Sequence, residues 1–396
     1  MKKKIDVKNT MQIHSLAKVD FYAKYLNRYL RILYLSEYIK HINIYDIFCG
    51  MGIYEDGHKG SPIVAYEAIK KVFDENGCIK KVRLFVNDDN TSRVNIVKEY
   101  INKLNKDSNC CVFLYYNEKA EMVLDKLCSI ISKTESDTRN LIFIDPYGYK
   151  EIKREIIYNL MNNKRTEIIL FLPISHMYRF TQYAIINEDR TQYKPLSDFI
   201  TSFFNGNHPI IRSDDISILQ YINYIKEALS YNHDFYTTSY HIERNKNSYF
   251  ALFFISSNLL GYEKNLEVKW TLDELDGNGF NTPQEKGLFD DEFKLEAENN
   301  RFKTLSDILT NYFIEKNISN IELYKYVLSK EFLPKHANQV LSDLQKNNKI
   351  DVFDFNTGKL ARNNSFYLSY REIKKKIPKV IFKIKNNEND KNRMDR

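Results

Sequence analysis

Residues 43–63 read NIYDIFCGMGIYEDGHKGSPI. An apolar, strand-like run from Ile42 to Phe48 enters a cluster of four glycines and leaves through Gly60-Ser61-Pro62. A strand that ends in a glycine-rich turn before a helix opens many nucleotide- and cofactor-binding α/β units. Two phosphate-binding readings fail on detail. Gly52 and Gly57 have P-loop spacing, but His58-Lys59 follow where Lys-Ser/Thr is required, and no hydroxyl follows Lys59 to hold magnesium. Gly50 and Gly52 open a GxGxxG pattern, but Glu55 stands where the third glycine must let helix and strand pack closely.

Strand and helix signals alternate outward from this stretch. After 42–48 come VRLFV (82–86), CCVFLYY (110–116), NLIFID (140–145) and EIILFL (167–172), with helix-like stretches near 62–75, 91–105, 118–133 and 150–163. The alternation predicts an α/β fold with a mostly parallel, Rossmann-like sheet covered on both faces. Residues 15–40 carry apolar residues at helical spacing and predict a long first helix. SYFALFFIS (248–256) and NLEVKW (265–270) read as an antiparallel hairpin at the sheet edge, after a helical insertion over about 173–235. The expected organisation is a body over 1–275, a linker over 276–300, a small domain over 301–370 and a basic tail over 371–396.

The strand ends hold the chemistry. Asp46, Phe48, Gly50 and Gly52 form DxFxGxG at the end of the first strand. A carboxylate there suits an ammonium group, and glycines let backbone approach a ligand closely. This favours S-adenosylmethionine, which has no pyrophosphate. Ser61 reads as a helix N-cap with Pro62 at the first helical position. The second strand ends in Asn87-Asp88-Asp89, where an acid can accept both ribose hydroxyls or cap the next helix. The fourth strand ends in Asp145-Pro146-Tyr147-Gly148. Asp145 is expected to face the same crevice as Asp46. Pro146 stiffens the turn and leaves carbonyls free for an exocyclic amine, and Tyr147 can stack on a base. These three are the candidate catalytic residues, and direct methyl transfer is the expected chemistry, with no metal.

DxFxGxG, an acid after strand two and DPYG after strand four resemble class I S-adenosylmethionine-dependent methyltransferases. DPYG is similar to the DP[FY]G of tRNA guanine-N2 dimethyltransferases, and more loosely to the [DNS]PP[YF] of adenine-N6 enzymes. Tyr147 stands where the adenine-N6 pattern has a second proline. Over nearly the whole chain the sequence resembles the bacterial three-Cys-motif partner (TcmP) family. The resemblance rests on His14-Ser15, Lys18 and Tyr25-Leu26 in the first helix, on Phe48 to Pro62, on Asp145 to Gly148, and on Asn320-Ile321-Glu322-Leu323 and Ala337 to Leu344. It implies a radical-SAM-like three-Cys-motif protein as a partner and a setting in phage defence or mobile elements.

The 396 residues are 43% hydrophobic and 28% charged, as in globular proteins with ample core. Mean hydropathy is −0.50, and no apolar run reaches the ~20 residues of a membrane span. The start lacks the apolar core of a secretory signal. Cys49, Cys78, Cys110, Cys111 and Cys128 show no zinc spacing and read as reduced thiols of a cytoplasmic protein.

The net charge of +7 is uneven. Residues 301–396 hold 20 Lys and Arg against 11 Asp and Glu. Helix-like stretches at 302–313, 320–329 and 336–347 precede KIDVFDF, the turn Asn356-Thr357-Gly358-Lys359 and SFYLSY (365–370). Three short helices and a hairpin are the layout of a winged helix. Lys335, His336, Gln339 and Lys346 on the third helix, with Lys359 and Arg362 at the wing, are candidate nucleic-acid contacts. The expected function is methylation of an exocyclic amine of a nucleic-acid base. The alternatives are a cofactor-binding scaffold serving a partner and a winged-helix regulator with a degenerate first domain.

Overall fold

The computed structural model describes residues 10–77, 79–105, 111–212, 215–245, 248–280 and 290–385. Cys78, Cys110, the basic start and the end of the expected tail lie outside them. Among the described residues no helix is long and apolar enough to cross a membrane.

The chain divides into two compact units, Met1–Asp273 with Gly277–Pro283, and Glu274–Asp276 with Gln284–Arg396. The first opens with α1 (Ile13–Tyr34) and proceeds through β1 (His41–Asp46), α2 (Ser61–Asn76), β2 (Lys81–Asn87), α3 (Thr91–Leu104), β3 (Cys111–Tyr116), α4 (Ala120–Ser132), β4 (Thr138–Ile144), α5 (Arg154–Met161) and β5 (Thr166–Leu172). Four helices follow: α6 (Ile174–Ile186), α7 (Lys194–Phe203), α8 (Pro209–Arg212) and α9 (Ile218–Leu229). The unit closes with β6 (Tyr236–Asn245), β7 (Ser248–Ser256), α10 (Leu259–Leu272) and β8 (Gly279–Phe280).

The sheet order is β3-β2-β1-β4-β5-β7-β6-β8. β1 to β5 pair in parallel, and β7 runs antiparallel to β5 and β6. β4 shows why the sheet is doubly covered. Leu141 and Phe143 enter one apolar core, and Ile142 and Ile144 enter the other. A parallel strand buried on both faces needs this uninterrupted apolar run. The first core takes its helical residues from α1, α2, α3 and α10, and the second from α4 to α9. Strand order reverses between β1 and β4, and ligands of such sheets bind in the crevice beyond the strand ends at that point.

α1 is locked to the sheet by a buried acid. Tyr25 donates to Glu167 Oε2, and Ser256 Oγ donates to Glu167 Oε1 at 2.8 Å. Gly261, in the first turn of α10, makes room for this carboxyl: a Cβ there would lie 2.0 Å from Glu167 Oε1. Burial pushes Glu167 up to about 7, against the pull of Tyr25 and Ser256.

The edge hairpin differs from expectation. β6 and β7 form it, whereas NLEVKW lies inside α10. Leu266, Val268 and Trp270 imitate strand alternation, but Asn258 caps a helix by accepting from the Leu260 and Gly261 N–H groups.

The second unit contains α11 (Asp290–Glu315), β9 (Ile318–Ser319), α12 (Asn320–Ser329), α13 (Pro334–Lys346), β10 (Ile350–Asp354), α14 (Tyr370–Ile373) and β11 (Val380–Ile384). Its sheet runs β10-β11-β9, all antiparallel. Three expectations are corrected. α11 begins at Asp290, inside the expected linker, while 281–289 fall outside the described residues. Residues 365–370 form no strand, although Phe366 and Leu368 are buried. The partner of β10 is β11, inside the expected tail, because Val380 and Phe382 bring buried apolar side chains to the pairing. The turn at 356–359 is present: Asp354 Oδ1 accepts from the Asn356 and Thr357 N–H groups at 3.1 and 2.8 Å.

Candidate cofactor site

Asp46 ends β1 with 1% of its surface exposed. Neither carboxylate oxygen has a hydrogen-bond partner of good geometry. Burial pushes its acid up to about 7, and the Asp145 and Asp88 charges push the same way, against the Ser61 hydroxyl and Lys18. An unsatisfied buried carboxyl is costly unless a ligand completes it.

The chain then turns through Gly50 and Gly52, at φ +60° and +69°. Gly52 is doubly constrained, since a Cβ would lie 2.4 Å from Val97 Cγ2 of α3. The following residues fold into a small hairpin, with Ile53 bridged to Lys59 and the Gly60 N–H donating to the Gly52 carbonyl at 2.6 Å. Met11 N–H donates to Asp56 Oδ2 at 2.8 Å and ties the start of the described chain to this hairpin. Gly60 takes the N-cap position of α2, so Ser61 is the first helical residue and is not the expected cap. Its buried side chain lies beside Asp46 and draws its acid downward, without a hydrogen bond of good geometry.

Asp88 is the acid beyond β2. It accepts from the Gly50 N–H at 3.0 Å and the Asn90 N–H at 3.0 Å, with Arg93 Nη1 3.5 Å away. Asp88 is thereby bound to the glycine loop. Its acid is also shifted upward, by burial first. Asn87 has a different role from the one expected. Its amide donates to the Ile47 and Glu118 carbonyls and accepts from the Glu118 N–H, which staples three strand ends together. Both amide hydrogens and one lone pair of Oδ1 are thus engaged within the fold.

Asp145 follows β4 and pairs with Lys18 of α1. Pro146 is buried, whereas Tyr147 is 74% exposed. Arg93 donates to the Tyr147 hydroxyl and lies 5.2 Å over its ring, and Phe48 meets that ring edge-on at 6.5 Å. Tyr147 is therefore held as a wall of the crevice. Beside Tyr147 a cavity of about 230 Å³ opens, lined by Ile47, Phe48, Asn87, Lys119, Ala120 and Tyr147 among others, while Asp46, Gly50, Gly52, Asp88 and Asp145 do not line it. The strand ends thus bring Asp46, Gly50, Gly52, Ser61, Asp88 and Asp145 together. Sequence reasoning gave Lys18 no role of its own, because its partner lies 127 residues away.

In the second unit Lys335, Gln339 and Lys346 are exposed on α13, and Lys359 and Arg362 are exposed beyond β10. Ser342 Oγ donates to Asn364 Oδ1 at 2.8 Å, which sets the segment of Arg362 beside the second half of α13. His336 is corrected. It is buried, Nδ1 accepts from the Leu333 N–H at 3.3 Å, and burial lowers its acid to about 4. It caps α13 from within and presents nothing to a ligand.

Cys49 and Cys111 are buried free thiols and Cys128 is a half-buried one. Burial raises Cys49 far above its ordinary value, which disfavours the thiolate.

No family model matches the chain, and no curated protein matches it. Among solved structures it is similar to the O-methyltransferase TomG from Streptomyces achromogenes, involved in tomaymycin synthesis and solved in complex with SAM. There the TM-score is 0.32 at 11% identity, over 59% of this chain and 79% of that one. A putative O-methyltransferase from Klebsiella pneumoniae gives a TM-score of 0.29 at 13% identity, over 59% and 79%. A likeness at this level carries no assignment of family or activity.

Proposed function

We propose that the first unit is an S-adenosylmethionine-dependent methyltransferase acting on an exocyclic amine of a nucleic-acid base. The observation that carries the reading is Asp46, a buried carboxyl with no hydrogen-bond partner of good geometry, set beside a glycine turn that is itself tied to Asp88. That set suits an amino acid and a ribose on one ligand. Asp46 would take the ammonium, Asp88 the ribose hydroxyls, and the turn at Gly50 and Gly52 would allow close backbone approach. When bound, the cofactor supplies an electrophilic methyl group. Asp145 and the carbonyls around Pro146 would orient the amine in line with it, and the gain would come mainly from positioning. Tyr147 would wall the crevice.

The second unit is read as a winged helix. Its support is the order of three helices and an antiparallel sheet, with Lys335, Gln339, Lys346, Lys359 and Arg362 outward. Such charges suit phosphates. A radical-SAM-like three-Cys-motif partner, a cytoplasmic location and a phage-defence setting belong to the same proposal through the family resemblance.

The test is calorimetry with S-adenosylmethionine, followed by tritiated methyl transfer to total DNA and RNA. The expected result is binding, a labelled nucleic acid, and an Asp145→Ala protein that transfers no label even at cofactor concentrations that saturate it. Binding with no label from any pool would favour the scaffold reading. No binding at all would remove the cofactor reading.

A further inference from the structure

The strand-end carboxyls outnumber the cations placed to meet them. The charged and titratable groups facing Asp46 are Lys18 and Tyr22 of α1, Cys49 of the glycine loop, Asp88 beyond β2 and Asp145 beyond β4. Tyr22 and Cys49 are kept uncharged by burial. Asp88 has two backbone donors and Arg93. Asp145 has Lys18, whose ammonium lies 4.6 Å from the Phe171 ring centroid and whose side chain is only 11% exposed. An ammonium so confined is committed to one partner. Asp46 is left with no cation of its own and no hydrogen-bond donor of good geometry.

We propose that Lys18 is a positioning residue of this site: by committing itself to Asp145 it fixes that carboxylate and leaves Asp46 to exchange its own proton for the ammonium group of a ligand. This rests on the cofactor reading above. The exchange balances. The O–H bond of the Asp46 carboxyl breaks, the proton passes to buffer, and the carboxylate pairs with the incoming ammonium, so the net buried charge is unchanged. The ligand class is a nucleoside joined to an amino acid. A nucleoside without the amino acid would leave the proton in place.

The test uses the full chain and calorimetry at pH 6 in buffers of different ionisation enthalpy. S-adenosylmethionine should release close to one proton, and 5′-methylthioadenosine none. Lys18→Met should weaken S-adenosylmethionine at least tenfold at pH 6 and move its affinity curve to higher pH, while Lys18→Arg keeps the wild-type curve. Equal proton release by the two ligands, or an unchanged curve for Lys18→Met, would overturn the proposal. If the wild type binds neither ligand, the cofactor reading fails, and the Lys18 pairing is judged by melting temperature. There Lys18→Met with Asp145→Asn together should be no less stable than Lys18→Met alone. Additive losses would overturn the pairing as well.

Discussion

Gly52 and Gly50 share a left-handed backbone but not the same surroundings. A side chain at Gly50 would meet open space, whereas one at Gly52 would strike Val97. Gly50→Ala should therefore cost only the backbone term, about 1–2 kcal/mol. Gly52→Ala adds overpacking and should cost roughly 2–5 kcal/mol. Urea unfolding of both variants checks the difference, and equal losses would count against the Val97 contact as the cause. At this scale the sequence shows residue type and spacing but not how an atom is used. The glycines and the three strand-end acids were legible as positions, because residue type and spacing place them at the ends of the strands. The internal contacts of Asn87 and His336, with the Glu118 segment and with the Leu333 N–H, were not legible. Neither contact leaves a periodicity to read.

Among elements, apolar pattern decided most cases and misled where two periods coincide. β1, β4 and β5 were plain, since long apolar runs between turn signals fit strands buried on both faces. Residues 265–270 satisfied alternation and helical spacing together, and the Asn258 cap decided between them. In the second unit the true partner of β10 lies beyond two further segments, a pairing that no local signal announces. Asn320 holds that arrangement. It is fully buried, its amide donates to the Tyr367 carbonyl at 3.2 Å, and its Oδ1 accepts from the Lys379 N–H at 2.8 Å. Asn320→Leu would strand both backbone groups and should destabilise the second unit by roughly 2–4 kcal/mol. The corresponding transition in thermal unfolding should fall while that of the first unit stays. A shift of both transitions together would argue against independent units.

Across the whole molecule, the strongest consequence of burial is the pH dependence of stability. Asp46 and Glu167 are both raised to about 7 by burial. A carboxyl raised on folding contributes stability that is complete below its unfolded value and is lost as pH rises through the folded value. Stability from these two groups should therefore decline between about pH 4.5 and 7. Glu167→Gln removes one titration and should recover on the order of 3 kcal/mol of the loss seen between pH 5 and pH 8. Melting temperatures across that range measure it. An unaltered slope would show that Glu167 does not carry the dependence. The two-part organisation was partly visible as a charge contrast, but its boundary was not, because α11 continues through residues that read as linker.

The Tyr25–Glu167 bond also sets an order in time. α1 is among the first described residues made, yet Glu167 lies 142 residues later, and Ser256 and Gly261 follow after that. At about 5–20 residues per second, α1 emerges on the order of ten seconds or more before its acid exists. Its buried face of Phe21, Tyr22, Tyr25 and Leu26 must stay soluble through that interval. The helix that carries Lys18 thus gains its buried anchor only after β5, Ser256 and Gly261 have been made, long after its own apolar face.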